Sequence, residues 1–98
     1  MNFFITGASG FIGSRLAQYF SKNNFVICNY YNRKIKIKNV KKIHIDITKK
    51  INIKENIDVI IHCASKTHVN CNEDKIIFES NINMKKNLIN LAKEKKVK

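Results

Sequence analysis

Ninety-eight residues suffice for one small domain, and a hydrophobic fraction of 44% makes a buried core feasible. The formal charge of +12 raises the question of a nucleic-acid or anionic-membrane partner. Lysine outnumbers arginine 17 to 2, however, and is spread from Lys22 to Lys98 with no cluster interleaved with aromatic residues. Lysine, asparagine and isoleucine together make up 48 residues, the skew that A/T-rich codons produce. The charge therefore reads as a surface property that attracts small anions, and neither nucleic acid nor a membrane is an expected partner.

Cys28, Cys63 and Cys71 are odd in number and show no CxxC spacing, so reduced thiols and no metal site are expected. The opening MNFFITGASG holds an apolar run too short for a signal peptide or a membrane span. A soluble, cytoplasmic protein is the expectation.

In chain order, Asn2 to Thr6 is a short β-prone run that ends at a glycine loop. Ile12, Leu16, Tyr19 and Phe20 recur at helical spacing, which predicts a helix from Phe11 to about Lys22. Asn23 and Asn24 signal a turn, and Phe25 to Tyr30 reads as a second, buried strand. Residues 32–42 are basic, with Ile35, Ile37 and Val40 alternating, and suggest a loop containing one short extended piece. Ile43 to Ile47 is the third predicted strand, and an ill-defined stretch with a short helix follows it. Asp58 to Cys63 is a continuous apolar run of the kind that forms a central parallel strand covered on both faces. A loop from Ser65 to about Asp74 leads to a helical stripe of Ile77, Phe78, Ile82, Met84, Leu88, Ile89, Leu91 and Ala92, ending near Lys96. Strands alternating with helices predict a parallel α/β sheet. There is no internal repeat and no inter-domain linker.

The chemistry concentrates in Thr6-Gly7-Ala8-Ser9-Gly10-Phe11-Ile12-Gly13, between the first strand and the first helix. A pyrophosphate needs backbone N–H groups at a helix N-terminus, and side chains there would block its approach. One glycine permits the tight turn, the next lets phosphates come close, and the last lets helix and strand pack. Glycines alone are weak evidence, since a turn without a ligand also uses them. The strand before, the helix after and the βαβ spacing supply the required context.

The Gly-x-x-Gly-x-x-Gly spacing in TGASGFIGSRL resembles the fingerprint of the extended short-chain dehydrogenase/reductases, the group of nucleotide-sugar epimerases and dehydratases. Asp46-Ile47 resembles the family's Asp-hydrophobic pair after the third strand, which approaches the adenine. Asp58-Val59-Ile60-Ile61-His62-Cys63-Ala64-Ser65 resembles the DxVxHxAA segment, which brings Cys63, Ala64 and Ser65 beside the cofactor ribose. Asn81-Ile82 and Asn87-Leu88 resemble the NVxGTxNLL helix, where the first Asn helps hold strand geometry near the active site. The four motifs stand in family order over essentially the whole chain. The resemblance implies a partial Rossmann-like, doubly wound parallel sheet of about four strands. It also implies binding of NAD or NADP by Gly7, Ser9, Gly10, Phe11, Ile12, Gly13, Asp46, Ile47, Cys63, Ala64, Ser65 and Asn81. A weaker match, Lys66-Thr67-His68-Val69, is similar to the loop after the fourth strand in nucleotide-sugar enzymes.

Two departures matter. Met84 and Lys85 stand where the family has Gly-Thr, which implies looser packing of the last helix there. The second strand ends Cys28-Asn29-Tyr30-Tyr31-Asn32-Arg33, without the acid that NAD-preferring members use on the ribose hydroxyls. Arg33 is placed to meet a 2′-phosphate, which tips the expectation toward NADP, although a solvated loop charge is an equal reading. His62 reads as a hydrogen-bonded structural histidine and Asp58 as a strand-opening structural carboxylate. Asp46 either contacts the cofactor or caps the segment after it. For His68, substrate contact and plain exposure both stay open. Cys63 sits where packing wants a small residue and is not an expected nucleophile.

Family chemistry uses a Tyr-x-x-x-Lys pair. Tyr30 and Lys34 have the spacing but lie at the adenosine end, where hydride transfer does not occur. The pair and the substrate domain are expected beyond Lys98. These 98 residues are therefore expected to be a truncated or split N-terminal portion, without turnover alone and prone to aggregate through uncovered faces. The activity implied is epimerisation, dehydration or reduction of a nucleotide-activated sugar by hydride transfer. The other reading is a non-catalytic dinucleotide-binding or sensor module.

Overall fold

The computed structural model describes residues 1–31, 33–64 and 74–97. In chain order the elements are β1 (Asn2–Thr6), α1 (Phe11–Phe20), β2 (Phe25–Tyr30), β3 (Lys41–His44), β4 (Val59–His62) and α2 (Asp74–Lys95). Among the described residues the strands form a four-stranded sheet in the order β3-β2-β1-β4, with every pair parallel.

Alternation along the strands sorts side chains onto two faces. Phe4 and Ile27 lie on one face with Met84, Leu88 and Leu91 of α2, together with Ile47, Ile51, Ile53 and Ile57. Phe3, Ile5, Val26 and Cys28 lie on the other with Ala8, Ala17 of α1, and Ile35 and Ile37. Phe3 and Phe20 stack at 4.4 Å between ring centroids, which seats the end of α1. One helix covers each face, so the architecture is a partial Rossmann-like, doubly wound α/β sheet. Where the family pattern has a small residue, Met84 is buried in the α2-side cluster.

Several boundaries differ from those predicted. The third strand runs over Lys41–His44 rather than from Ile43, because its register is set by β2, with Ile27 opposite Lys41 and Tyr30 opposite His44. The ladder gives out after the Ile45 N–H donates to the Tyr30 carbonyl at 3.1 Å. Next, Asp46 turns the chain by accepting the Thr48 N–H on its Oδ1 at 3.0 Å. No short helix separates β3 from β4; residues 50–53 are irregular, and Ile51 and Ile53 are buried between exposed neighbours. The same alternation buries Ile35 and Ile37 between Lys34, Lys36 and Lys38, and among the described residues the extended piece read there has no strand partner.

β4 is an edge strand among the described residues, and its four residues are all half-buried rather than covered on both faces. Asp58, just before it, accepts the Asn2 N–H on Oδ2 at 2.7 Å and donates its own N–H to the Asn2 carbonyl at 2.8 Å. That exchange registers β4 against β1 and gives Asp58 the structural role read from the sequence. α2 begins at Asp74, three residues ahead of the predicted stripe, and buries only Met84, Leu88 and Leu91. Phe78 is 67% exposed and Ile89 56% exposed. No helix among the described residues is long and apolar enough to cross a membrane.

Candidate functional site

Parallel strands bring their C-terminal ends to one edge of a sheet, and the segments leaving β1, β2, β3 and β4 gather there. The turn after β1 is built on Gly7, whose φ of 70° lies in the left-handed region. A Cβ on Gly7 would stand 2.6 Å from the Ala64 nitrogen and 2.8 Å from the Cys63 carbonyl carbon, so backbone from the end of β4 presses directly on it. At Gly13, in the first turn of α1, a Cβ would lie 2.7 Å from the Gly7 carbonyl carbon and 3.1 Å from the Ala8 Cα. These two glycines are required by the fold itself.

Gly10 differs. Its backbone is extended (φ −85°, ψ 176°), which any residue adopts, and a Cβ would meet only the Gly7 carbonyl oxygen at 3.3 Å. Gly10 donates its N–H to that carbonyl at 3.0 Å and forms the N-cap of α1. Among the described residues no side chain caps the helix. By helix geometry the N–H groups of Phe11, Ile12 and Gly13 have no intrahelical acceptor, and they carry the positive end of the helix dipole. Ser9 is half-buried beside them, while the Phe11 and Ile12 side chains are turned outward and largely exposed. The arrangement is a set of backbone donors at a helix N-terminus, and its chemistry fits a pyrophosphate.

Thr6 braces the floor. Its hydroxyl lies 2.7 Å from His62 Nδ1 and accepts the N–H groups of Cys63 at 3.0 Å and Ala64 at 3.2 Å. A threonine hydroxyl has one proton and two lone pairs, so with both lone pairs in use it donates to Nδ1. This arrangement assigns His62 the neutral form with its proton on Nε2. Burial and, secondarily, the Lys85 ammonium hold its pKa below the usual histidine value. Burial pushes the Cys63 thiol above its ordinary value, and the Cys28 thiol, buried more deeply, is pushed up to about 11 with Lys42 opposing. Neither is a ready nucleophile.

At the end of β3, Asp46 Oδ1 accepts from both the Thr48 N–H and the Thr48 hydroxyl, the latter at 2.6 Å. Ile47 buries its side chain in the core, and its carbonyl accepts from Asn87 Nδ2 at 3.0 Å. Asn87 thus ties α2 to the Asp46 turn. Tyr30, His44 and Tyr31 form a stack at the end of β2 and β3, with centroids 5.1 and 5.8 Å apart, and Arg33 beyond it is exposed. Asn81 is half-buried on α2. Ser65, the 66–69 motif, His68 and Cys71 lie outside the described residues.

Gly7, Gly13, Cys63 and Ala64 are therefore in direct apposition, and Asp46 stands at the same edge two strands over. One participant escaped the sequence reading: Asn29, whose side chain accepts the Gly7 N–H and donates to the Ile45 carbonyl. Its signal was a polar residue at an inward position of a buried strand. Compared with family models, residues 3–98 match the NAD-dependent epimerase/dehydratase family. The chain belongs to that family. Membership implies a dinucleotide cofactor and an oxidoreductase-type function. A search of curated proteins returns no match.

Proposed function

We propose that this chain forms the cofactor cradle of an epimerase, dehydratase or reductase that acts on a nucleotide-activated sugar by hydride transfer. In this reading the pyrophosphate of NAD(P) rests on the N–H groups of Phe11, Ile12 and Gly13. Ser9 and Gly10 border it, Asp46 and Ile47 face the adenine, and Cys63, Ala64, Ser65 and Asn81 line the ribose and nicotinamide side. Arg33 favours NADP, its guanidinium answering a 2′-phosphate where an acid would answer ribose hydroxyls. When bound, the nicotinamide supplies the hydride acceptor or donor, and the residues of this chain bind and orient it.

Gly10 carries the proposal. Gly7 and Gly13 are explained by packing, whereas at position 10 the backbone angle is ordinary and a Cβ would press only on the Gly7 carbonyl oxygen, at 3.3 Å, a contact far milder than those at Gly7 and Gly13. A bare position at a helix N-terminus where the fold asks least for glycine is what close approach of a phosphate requires.

The test is a fluorescence titration of the 98-residue chain with NADPH and NADH, repeated on Gly10→Ala. The wild type is expected to bind, NADPH more tightly. Gly10→Ala is expected to keep its unfolding free energy within about 1 kcal/mol, since the N-cap penalty and the unfolded-state entropy gain are of similar size. It should nevertheless lose most of its affinity. Absence of binding of either nucleotide to folded wild-type protein would overturn the assignment, and binding unaffected by Gly10→Ala would move the phosphate elsewhere.

A further inference from the structure

Asn29 stands where the alternation of β2 calls for an apolar side chain. Ile27, two positions earlier on the same face, is wholly buried, and Asn29 itself is only 5% exposed. A carboxamide in such a place is unfavourable unless both its ends find partners. Both do. Oδ1 accepts the Gly7 N–H at 3.3 Å, and Nδ2 donates to the Ile45 carbonyl at 3.4 Å. Gly7 opens the glycine turn in its left-handed conformation, and Ile45 immediately precedes Asp46, whose carboxylate organises the turn at Thr48. A single side chain on β2 therefore bridges the end of β1 and the end of β3.

We propose that Asn29 is a positioning residue that holds the glycine turn and the Asp46 turn at a fixed separation, so that both halves of a dinucleotide are received together. The proposal rests on the dinucleotide reading above. A ligand that reaches both turns gains affinity because binding one half presents the other at high effective concentration, and that gain depends on a preset distance. A ligand that reaches one turn needs no preset distance. An apolar replacement at position 29 would pack acceptably within the α2-side core but would leave the two turns untied.

The experiment uses the full chain, with Asn29→Leu as the main variant and Asn29→Asp as the second. Aspartate keeps an acceptor for the Gly7 N–H and removes the donor to Ile45. Dinucleotide binding is read by NADPH and NADH fluorescence, and the half-ligands adenosine and inorganic pyrophosphate by amide chemical shifts. The chain has only 3 glycines, so their amide signals report the turn directly. Asn29→Leu is expected to weaken the dinucleotide about tenfold, while adenosine and pyrophosphate each change less than about twofold. Asn29→Asp is expected to retain the Gly7 amide shift yet still weaken the dinucleotide. Equal losses for all ligands, or no loss, would overturn the positioning role. So would failure of both variants to fold, which would make Asn29 a structural residue alone. If wild-type protein binds neither nucleotide, the dinucleotide reading itself is what fails.

Discussion

Thr6 uses its whole hydrogen-bonding capacity, and this makes His62 an informative single residue. The hydroxyl proton goes to Nδ1, so a histidine nitrogen-15 spectrum of the folded protein should show Nδ1 unprotonated and Nε2 protonated. Protonating Nδ1 would set two donors face to face. The folded-state pKa of His62 is depressed by burial and by Lys85, so the unfolded chain binds the proton more readily. The stability this represents is fully present above the unfolded value of about 6.5 and is lost as pH falls through the depressed folded value. Denaturant midpoints measured at about pH 7.5 and about pH 5.5 should therefore fall more for wild type than for His62→Asn, in which Asn Oδ1 replaces Nδ1 as acceptor. An equal fall in both would show that His62 is not the group responsible. The glycines make a second series. Gly13→Ala is expected to destabilise by about 1–3 kcal/mol through overpacking against the Gly7 and Ala8 backbone. Gly7→Ala should lose that much and about 1 kcal/mol more for its positive φ. Chemical denaturation orders them. The three-glycine spacing was legible in the sequence, and so were a turn role for the first glycine and a packing role for the last. The neighbour that confines Gly7 was not, because the Ala64 nitrogen 2.6 Å from a Gly7 Cβ is contributed by a strand more than fifty residues away.

Element by element, what could be read from local pattern was read well, and what depends on a partner was not. β1, α1 and β2 follow from apolar periodicity and from the Asn23-Asn24 turn, where Asn24 donates both its N–H and its Nδ2 to the Phe20 carbonyl to end the helix. β3 moved two residues earlier because pairing with β2, not the apolar run Ile43–Ile47, decides its extent. Ile45 and Ile47 still bury on the α2 side of the sheet, but as loop residues. The stripe on α2 was legible as periodicity, yet an apolar run that wide does not say which of its residues the sheet covers. Leu88 and Leu91 reach the core; Ile82 and Ile89 do not. Leu88→Ala should accordingly destabilise by about 2–5 kcal/mol, whereas Ile89→Ala, on the outer face one residue later, should change stability by no more than about 0.5 kcal/mol. Thermal or urea unfolding of the pair checks this. A large loss at Ile89 would mean that its face is covered in solution.

For the molecule as a whole, periodicity and composition do not yield the order β3-β2-β1-β4, because a strand list does not say which strand returns to the far side of the first; the doubly wound sheet expected from the resemblance does imply that return. Once it is known, the order gathers the C-terminal ends of β1, β2, β3 and β4 at one edge of a chain carrying 19 basic and 7 acidic residues. That imbalance acts in two directions. Spread over a small domain, it repels itself and weakens the compact state; toward an anionic dinucleotide it adds a long-range attraction to the local donors of the α1 N-terminus. Among the described residues, Lys41–Glu55 is an ion pair in which partial exposure of both partners limits the relief from this repulsion. Both effects are screened by salt, since the Debye length shrinks from about 10 Å at 0.1 M to about 3 Å at 1 M. Raising sodium chloride across that range is therefore expected to raise the thermal midpoint while weakening nucleotide binding. The slope should be steeper for NADPH, whose extra phosphate adds charge at the Arg33 end, than for NADH. Arg33→Ala should bring the two slopes together and erase the preference for NADPH. If the slopes already coincide in the wild type, Arg33 is a solvated charge and the preference for NADP has no basis in this chain.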